Sequence, residues 1–283
     1  CQVRIIPQCS CHIIEVVYEK ECIKTIGLEP DSYLSIDLGL NNLVTSCDSL
    51  NHKSFIVNGR PLKSINQYFN KKRALLMSYI GNRGTSNRIG ELTLKRNCKV
   101  NDYMHKASRF IVNYCIEHHI GTIVIGNNKD WKQNCNMGKR NNQNFVSVPF
   151  EKLISMIQYK SEEVGIRVVI TEESYTSKVD HYAGEEMCHH DSYLGKRIKR
   201  GLYRSSTGKI LNADLNGAIG ILRKVSHESY MQVVSRGGVE VAPLAVVGDT
   251  YVAHGTLGAL VALDGHGERL HAVSRGYQAA VAV

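Results

Sequence analysis

Ser35-Ile36-Asp37-Leu38-Gly39-Leu40-Asn41-Asn42-Leu43 is the stretch on which the fold of this chain turns. An apolar run from Tyr33 to Ile36 ends on one carboxylate, a glycine follows, and a second apolar run begins at Leu43. Aspartate is a poor strand former and is costly to bury unless paired or bound to metal. A turn-initiating Asp before Gly is the bland account of such a segment. A second acid far downstream favours the other account. Asn212-Ala213-Asp214-Leu215-Asn216-Gly217-Ala218 puts Asp214 at the start of an expected helix. Asp37 and Asp214 are therefore candidates for one divalent-metal site.

Working outward, Tyr33 to Asp37, Leu43 to Cys47 and Ser54 to Val57 predict an antiparallel meander, with turn signals at Asp48 to His52 and Asn58-Gly59. Residues 63–119 repeat apolar positions close to the 3.6 period and predict helix broken near Gly81 to Gly84. His118 and His119 fall at its C-terminus, where imidazolium complements the helix dipole. Thr122 to Ile125 reads as a strand covered on both faces. Residues 127–147, with seven Asn and Trp131, read as a long functional loop or a mobile lid. Pro149 suits a helix N1 position and opens a helix to about Glu163. Ile166 to Ile170 is a further strand that runs into Thr171 to Lys178. Residues 179–210 are polar, His-rich and basic, with little periodicity, and a helix from about Asn212 to Lys224 follows.

The order is β-β-β-α-β-α-β-α. That is the layout of an α/β, RNase H-like mixed sheet with flanking helices. In such a layout carboxylates at the end of the first strand, on a neighbouring strand end and on the last helix converge. Two Mg²⁺ ions about 3.5–4 Å apart can then clamp the attacking and leaving oxygens of a phosphodiester. Mg²⁺ takes oxygen ligands and keeps several waters, so a few carboxylates suffice.

The flanks differ from this centre. Residues 1–26 read as two strands without a hydrophobic partner of their own, Gly27 to Ser32 as a linker containing Pro30. With an opening at Cys1 in place of Met, they are expected to be the last strands of an earlier β-domain. Cys9-x-Cys11 beside His12 is too closely spaced for a structural zinc pair. After Lys224 the chain has no Lys, Ile or Asn, and Ala, Val and Gly dominate. Residues 226–283 are accordingly expected to be an atypical tail.

The chain has 283 residues, 43% hydrophobic and 22% charged, which is ordinary for a domain with a real core. No run of 18 apolar residues predicts a membrane span, and no signal peptide is seen. The nine Cys form no regular framework and read as reduced thiols in a cytoplasmic protein. The net charge of +9 is concentrated. Arg60 to Arg109 carry 12 Lys or Arg against Glu91 and Asp102, and Gly195 to Lys209 carry six against none. Tyr68, Phe69, Tyr79, Tyr103, Tyr193 and Tyr203 are interleaved, a pattern that suits nucleic acid.

YLSIDLGLNNL at 33–43, NQNFVSVPFEKLISMIQYKSEEVGIRVVITEESYTSK at 142–178 and GKRIKRGLYRSSTGKILNADLNGAIGILRK at 195–224 resemble the OrfB/TnpB proteins of bacterial insertion sequences, relatives of the type V CRISPR effectors. The resemblance covers roughly residues 1–243. It implies a RuvC-like, Mg²⁺- or Mn²⁺-dependent endonuclease, guided by an RNA from the element's end, that cuts DNA beside a short target-adjacent motif. The older label for the family is transposase. Its partners would be guide RNA and target DNA, with no membrane and no small-molecule substrate. Residues 1–30 then resemble the end of the family's wedge β-barrel, without its N-terminal helical insertion. Residues 31–225 correspond to the nuclease domain, with a helical insertion at 63–119 and a target-nucleic-acid-binding insertion at 179–210.

Two departures from the family pattern matter. The middle RuvC motif places Glu directly after the "IVI" strand, where this chain has Gly126. An acid at the end of the neighbouring strand could reach the same metals. Glu173 in EESYTSK is the choice, with Glu172 as alternative and Asp130 a weaker candidate; some family branches carry a relocated Glu before YTS. Catalytic and metal-binding roles are thus expected of Asp37, Glu173 and Asp214. Second, many members carry two CxxC pairs between YTSK and the last Asp motif, and here only Cys188-His189-His190 falls in that window, so no structural zinc is expected. Backbone phosphates are expected to meet Lys71, Lys72, Arg73, Lys95, Arg96, Lys178, Lys196, Arg197, Lys199, Arg200 and Arg204. Gly126 keeps a nuclease-dead nucleic-acid-binding protein in view, and the altered tail a decayed family member.

Overall fold

The computed structural model describes residues 2–8, 11–19, 22, 25–50, 54–81, 84–127 and 147–235, and the backbone of 244–247 and 250–252. Cys9, Asp130, Trp131 and most of the Asn-rich loop lie outside the described residues.

Alternation along β3 (Glu29–Leu38) organises the molecule. Leu34, Ile36 and Leu38 enter one buried cluster, while Tyr33, Ser35 and Asp37 point to the other face, as the period of two requires. β3 pairs antiparallel with β4 (Asn42–Asp48), which pairs antiparallel with β5 (Phe55–Asn58). On its other side β3 runs parallel to β6 (Ile120–Gly126), and β6 parallel to β7 (Arg167–Thr171). The register sets Asp37 opposite Thr45, Ile36 opposite Ile125, and Gly126 opposite Thr171. The meander expected from the turn signals and the parallel strands expected from the apolar runs are both present.

Helices cover both faces. α1 (Arg60–Ile80) and α2 (Asn87–Glu117) are separated at Gly81 as the sequence predicts, and the Ser86 hydroxyl caps α2 by accepting from the Ile89 amide. Met104, Ile111 and Cys115 of α2 and Leu153, Ile154 and Ile157 of α3 (Phe150–Glu162) pack on the Leu34, Ile36, Ile123 and Ile125 side. α4 (Ala213–Val225) covers the opposite face through Leu215, Ala218, Ile219 and Leu222. No helix among the described residues is long and apolar enough to cross a membrane.

Three stretches depart from the sequence reading. Pro30, assigned above to a linker, lies within β3, at a register irregularity between Glu29 and Tyr33 where its missing N–H breaks no regular ladder. Residues 179–210 form a one-turn 3₁₀ helix (His181–Ala183) and a three-stranded antiparallel sheet of β8 (Lys196–Lys199), β9 (Leu202–Arg204) and β10 (Ile210–Asn212). Strands this short show no legible period. The compositional break after Lys224 is not a structural one either. α5 (His227–Ser235) buries Tyr230 and Val233 in the α4 cluster, β11 (Leu244–Val247) runs parallel to β5, and β12 (Thr250–Val252) pairs with β11.

β1 (Gln2–Gln8) and β2 (Cys11–Val17) form a separate hairpin that exposes Val3, Ile5, Ile14 and Val16.

Candidate active site

Asp37 is held against α4. A Cβ at Gly217 would lie 2.5 Å from Asp37 Oδ2, so only glycine lets the carboxylate lie this close to the helix. The Ser35 hydroxyl, on the same face of β3, donates to the Ala218 carbonyl at 2.8 Å and fixes strand to helix. Asp214 sits in the first turn of α4. Its amide donates to Asn212 Oδ1 at 2.9 Å, the cap that starts the helix. A carboxylate there also complements the positive end of the helix dipole. Asn42, at the start of β4, donates from Nδ2 to Asp214 Oδ2 at 2.8 Å. That contact escaped the sequence reading, because nothing local to Asn42 refers to a residue so far along the chain.

Glu173 stands two residues beyond β7, in a turn closed by Thr176, whose hydroxyl and amide donate to the Glu173 carbonyl at 2.8 and 3.2 Å. Its side chain lies beside the end of β6. A Cβ built on Gly126 would meet Glu173 Oε1 at 2.5 Å, Glu173 Cγ at 2.7 Å and Ile221 Cδ1 at 2.5 Å. Glu173 thus fills the space into which a side chain at 126 would grow. The alternative, Glu172, has an exposed side chain, and its carbonyl accepts from Lys224 Nζ at 2.8 Å.

Asp37 feels the other two acids. Burial raises the Asp37 carboxyl well above the usual carboxylate range, and the charges of Glu173 and Asp214 raise it further. The Arg197 guanidinium and the Leu38 backbone act in the opposite direction. Burial pushes Glu173 up to about 7 against the pull of Lys224. Among the described residues no three His, Cys, Asp or Glu close on a point as metal ligands would. The chemistry of the donor set nonetheless fits Mg²⁺ or Mn²⁺: the donors are hard oxygens, and a cation would turn their mutual repulsion into attraction.

The polar insertion is gathered by two carboxylates that the sequence reading missed. Buried Asp180 accepts from Ser205 Oγ at 2.9 Å and from the Ser206 amide and hydroxyl at 2.6 and 3.0 Å. Glu185 accepts from the Asp180 and Leu194 amides at 2.6 and 2.8 Å. Cys188 Sγ lies 3.4 Å from His190 Nε2, whose nearer partner is the Glu186 carbonyl at 2.8 Å. Asp180→Ala should destabilise the chain by about 2–4 kcal/mol, because it strands the buried Ser205 hydroxyl together with the part-buried amide and hydroxyl of Ser206. A zinc chelator should leave the melting temperature unchanged; thermal unfolding reads both.

Lys71, Lys72, Arg73 and Lys95 lie exposed on α1 and α2, and Lys196, Arg197, Lys199, Arg200 and Arg204 on β8, β9 and their turn. Lys178 is exposed, 5.8 Å from the centre of the Tyr193 ring. Arg96 is a correction. Its guanidinium is half-buried and donates to Asn66 Oδ1 and the Ser147 carbonyl, both at 2.8 Å, so it braces α2 on α1 and is withdrawn from the phosphate-facing set.

Known proteins resemble the chain in the same order. A family model for OrfB of IS605, described as a probable transposase, matches residues 15–132, and the Cas12f1-like TNB domain model matches 150–221. The TnpB-like protein ORF457 of Acidianus two-tailed virus is 28% identical over 225 residues, covering 73% of this chain and 44% of that protein. A Cas12f1–sgRNA–target DNA complex shares the fold with a TM-score of 0.54 at 17% identity, over 74% of this chain and 52% of that one. A CRISPR–Cas12f ternary complex gives 0.53 at 16% identity, over 74% and 41%. The chain therefore spans about half the length of the relatives it matches. The two family models in sequence order and the TnpB-like relative make this chain similar to the OrfB/TnpB proteins of insertion sequences across residues 15–132 and 150–221, and the Cas12f complexes share its fold.

Proposed function

We propose that this chain carries the RuvC-like site of a transposon-encoded, RNA-guided DNA endonuclease, with Asp37, Glu173 and Asp214 as its metal-binding carboxylates. The observation that carries this reading is the Glu173 side chain in the space beside Gly126, coupled electrostatically to Asp37. The acid missing from β6 is supplied by the turn that follows the adjacent strand. Residues 31–225 form the nuclease unit on this reading, with 63–119 and 179–210 as insertions.

Bound Mg²⁺ or Mn²⁺ would supply charge to the attacking and leaving oxygens of the scissile phosphate. The chain's own residues do the rest. Asn42 holds Asp214 and Gly217 admits Asp37, so two carboxylates are oriented before substrate arrives. Arg197, whose charge reaches Asp37, joins the basic β8–β9 ribbon to the carboxylates. A nucleic-acid backbone lying on that ribbon passes beside the site. Guide RNA and target DNA as partners follow from the exposed basic residues and from the family, whose Cas12f-fold neighbours are nucleic-acid complexes. Alanine at Lys199 or Arg200 should lower the salt slope of nucleic-acid binding by about one each, without changing sequence preference.

Titration of Mn²⁺ into the wild type, Asp37→Ala and Glu173→Ala tests the site. Binding by the wild type and loss in both variants supports the nuclease reading. Loss in Asp37→Ala alone makes Glu173 a loop residue. The absence of a closed ligand trio among the described residues favours a second reading, a nuclease-dead nucleic-acid-binding protein. That reading takes over if the wild type binds no Mn²⁺.

A further inference from the structure

We propose that Lys224 is a positioning residue for the site: it ties the Glu172 carbonyl and the Ser174 hydroxyl, one on each side of Glu173, and so holds that carboxylate beside Gly126. This inference rests on the reading of Glu173 as a metal ligand.

Glu173 lies where the sheet no longer places it. Among the described strands β7 lies at the edge of the sheet and pairs with β6 alone. The hydrogen bond from the Asn127 amide to the Thr171 carbonyl, 2.9 Å long, lies two residues before Glu173. A carboxylate at position 126 would instead project from β6, which is held by β3 and β7 on either side. Moving the acid to Glu173 therefore creates a need for something else to fix it.

Lys224 meets that need from α4. Its Nζ donates to the Glu172 carbonyl at 2.8 Å and to Ser174 Oγ at 3.2 Å, so the two acceptors bracket Glu173. Thr176 holds the Glu173 carbonyl from within the same turn. α4 also carries Asp214 in its first turn and packs on Asp37 at Gly217. One helix thus registers all three acids. The side chain of Lys224 is half-buried; its bond to Ser174 is part-buried and its bond to the Glu172 carbonyl faces solvent, so it is the pairing of the two that holds the turn.

The test compares wild type, Lys224→Met, Lys224→Arg and Glu173→Gln by Mn²⁺ titration. Amide hydrogen exchange of the metal-free proteins over residues 172–176 is followed alongside. Lys224→Met should weaken Mn²⁺ binding about tenfold, the scale of losing a group that orients a metal ligand. Exchange at 173–176 should quicken with the melting temperature kept, and Lys224→Arg should recover most of both. If Lys224→Met binds Mn²⁺ like the wild type while Glu173→Gln does not, the clamp is refuted and the site stands. If affinity falls with exchange unchanged, Lys224 acts as a charge alone and the positioning role is refuted. If Glu173→Gln binds like the wild type, the reading of the site falls and the clamp with it.

Discussion

Glu173→Ala and Gly126→Glu should each disable the site, and the two together should restore it. Removing Glu173 takes away one of three carboxylates. Cleavage should fall by about a thousandfold or more, on the scale of deleting a group that meets charge in the transition state. Mn²⁺ binding should weaken in step. Gly126→Glu fails for a different reason. Its Cβ would stand 2.5 Å from Glu173 Oε1, and a second carboxylate would crowd a site already raised by like charge. Overpacking of this kind should lower stability by about 1–3 kcal/mol.

In the double variant the Glu173 atoms are gone, and of the three nearest atoms the one left is Ile221 Cδ1, the tip of a flexible side chain. The carboxylate then stands at the end of β6, next to Asp37 by register. Mn²⁺ affinity should return to within about tenfold of the wild type, the tolerance seen when only the surroundings of a ligand change. Titration and thermal melts of the four proteins decide the matter. A double variant as inert as Glu173→Ala would mean that Glu173 does not stand in for an acid at 126.

Most of the fold was legible because its strands carry strong local signals. The alternation of β3, the continuous apolar run of β6 and the helical period of α2 each survive without tertiary context. Pro30 shows the limit. Proline reads as a linker residue, yet an irregular strand start accepts it. The insertion shows another limit, since strands of three or four exposed residues carry no period. α5 was passed over because composition was read as a boundary, although Tyr230 and Val233 stand three apart on one helical face. At the site, Asp37 and Asp214 announced themselves as acids inside apolar context. Glu173 was reachable only through the absence at Gly126. Asn42, Asp180 and Lys224 act across long stretches of chain through contacts that no local pattern encodes.

The raised carboxyls should make the metal-free fold lose stability as pH rises, and Glu173→Gln should remove part of that loss. Folded, Glu173 releases its proton near 7, against an ordinary value of 4.5. Between those values the folded chain holds a proton that the unfolded chain has released, so this contribution is complete below about 4.5 and gone above about 7. Asp37, also raised, acts in the same sense. His181 acts in the opposite one. Burial lowers it to about 4 from 6.5, so its neutral ring costs stability as pH falls through that window. The wild-type profile therefore sums opposing slopes, and the difference from Glu173→Gln isolates one of them. In chelator the two proteins should be nearly equal in stability at pH 4, below both values, and diverge as the pH rises. At pH 8 the Gln variant should be the more stable by about 1–3 kcal/mol, after discounting for the partial exposure of Glu173. Mn²⁺ at pH 8 should reverse the order, because only the wild type keeps the full set of charged oxygens. Denaturant unfolding at the two pH values, with and without Mn²⁺, measures all four quantities. Parallel profiles from pH 4 to 8 would mean that Glu173 ionises as a surface acid does. The reversal would mean that the burial of acids that weakens the metal-free fold is what draws the cation in.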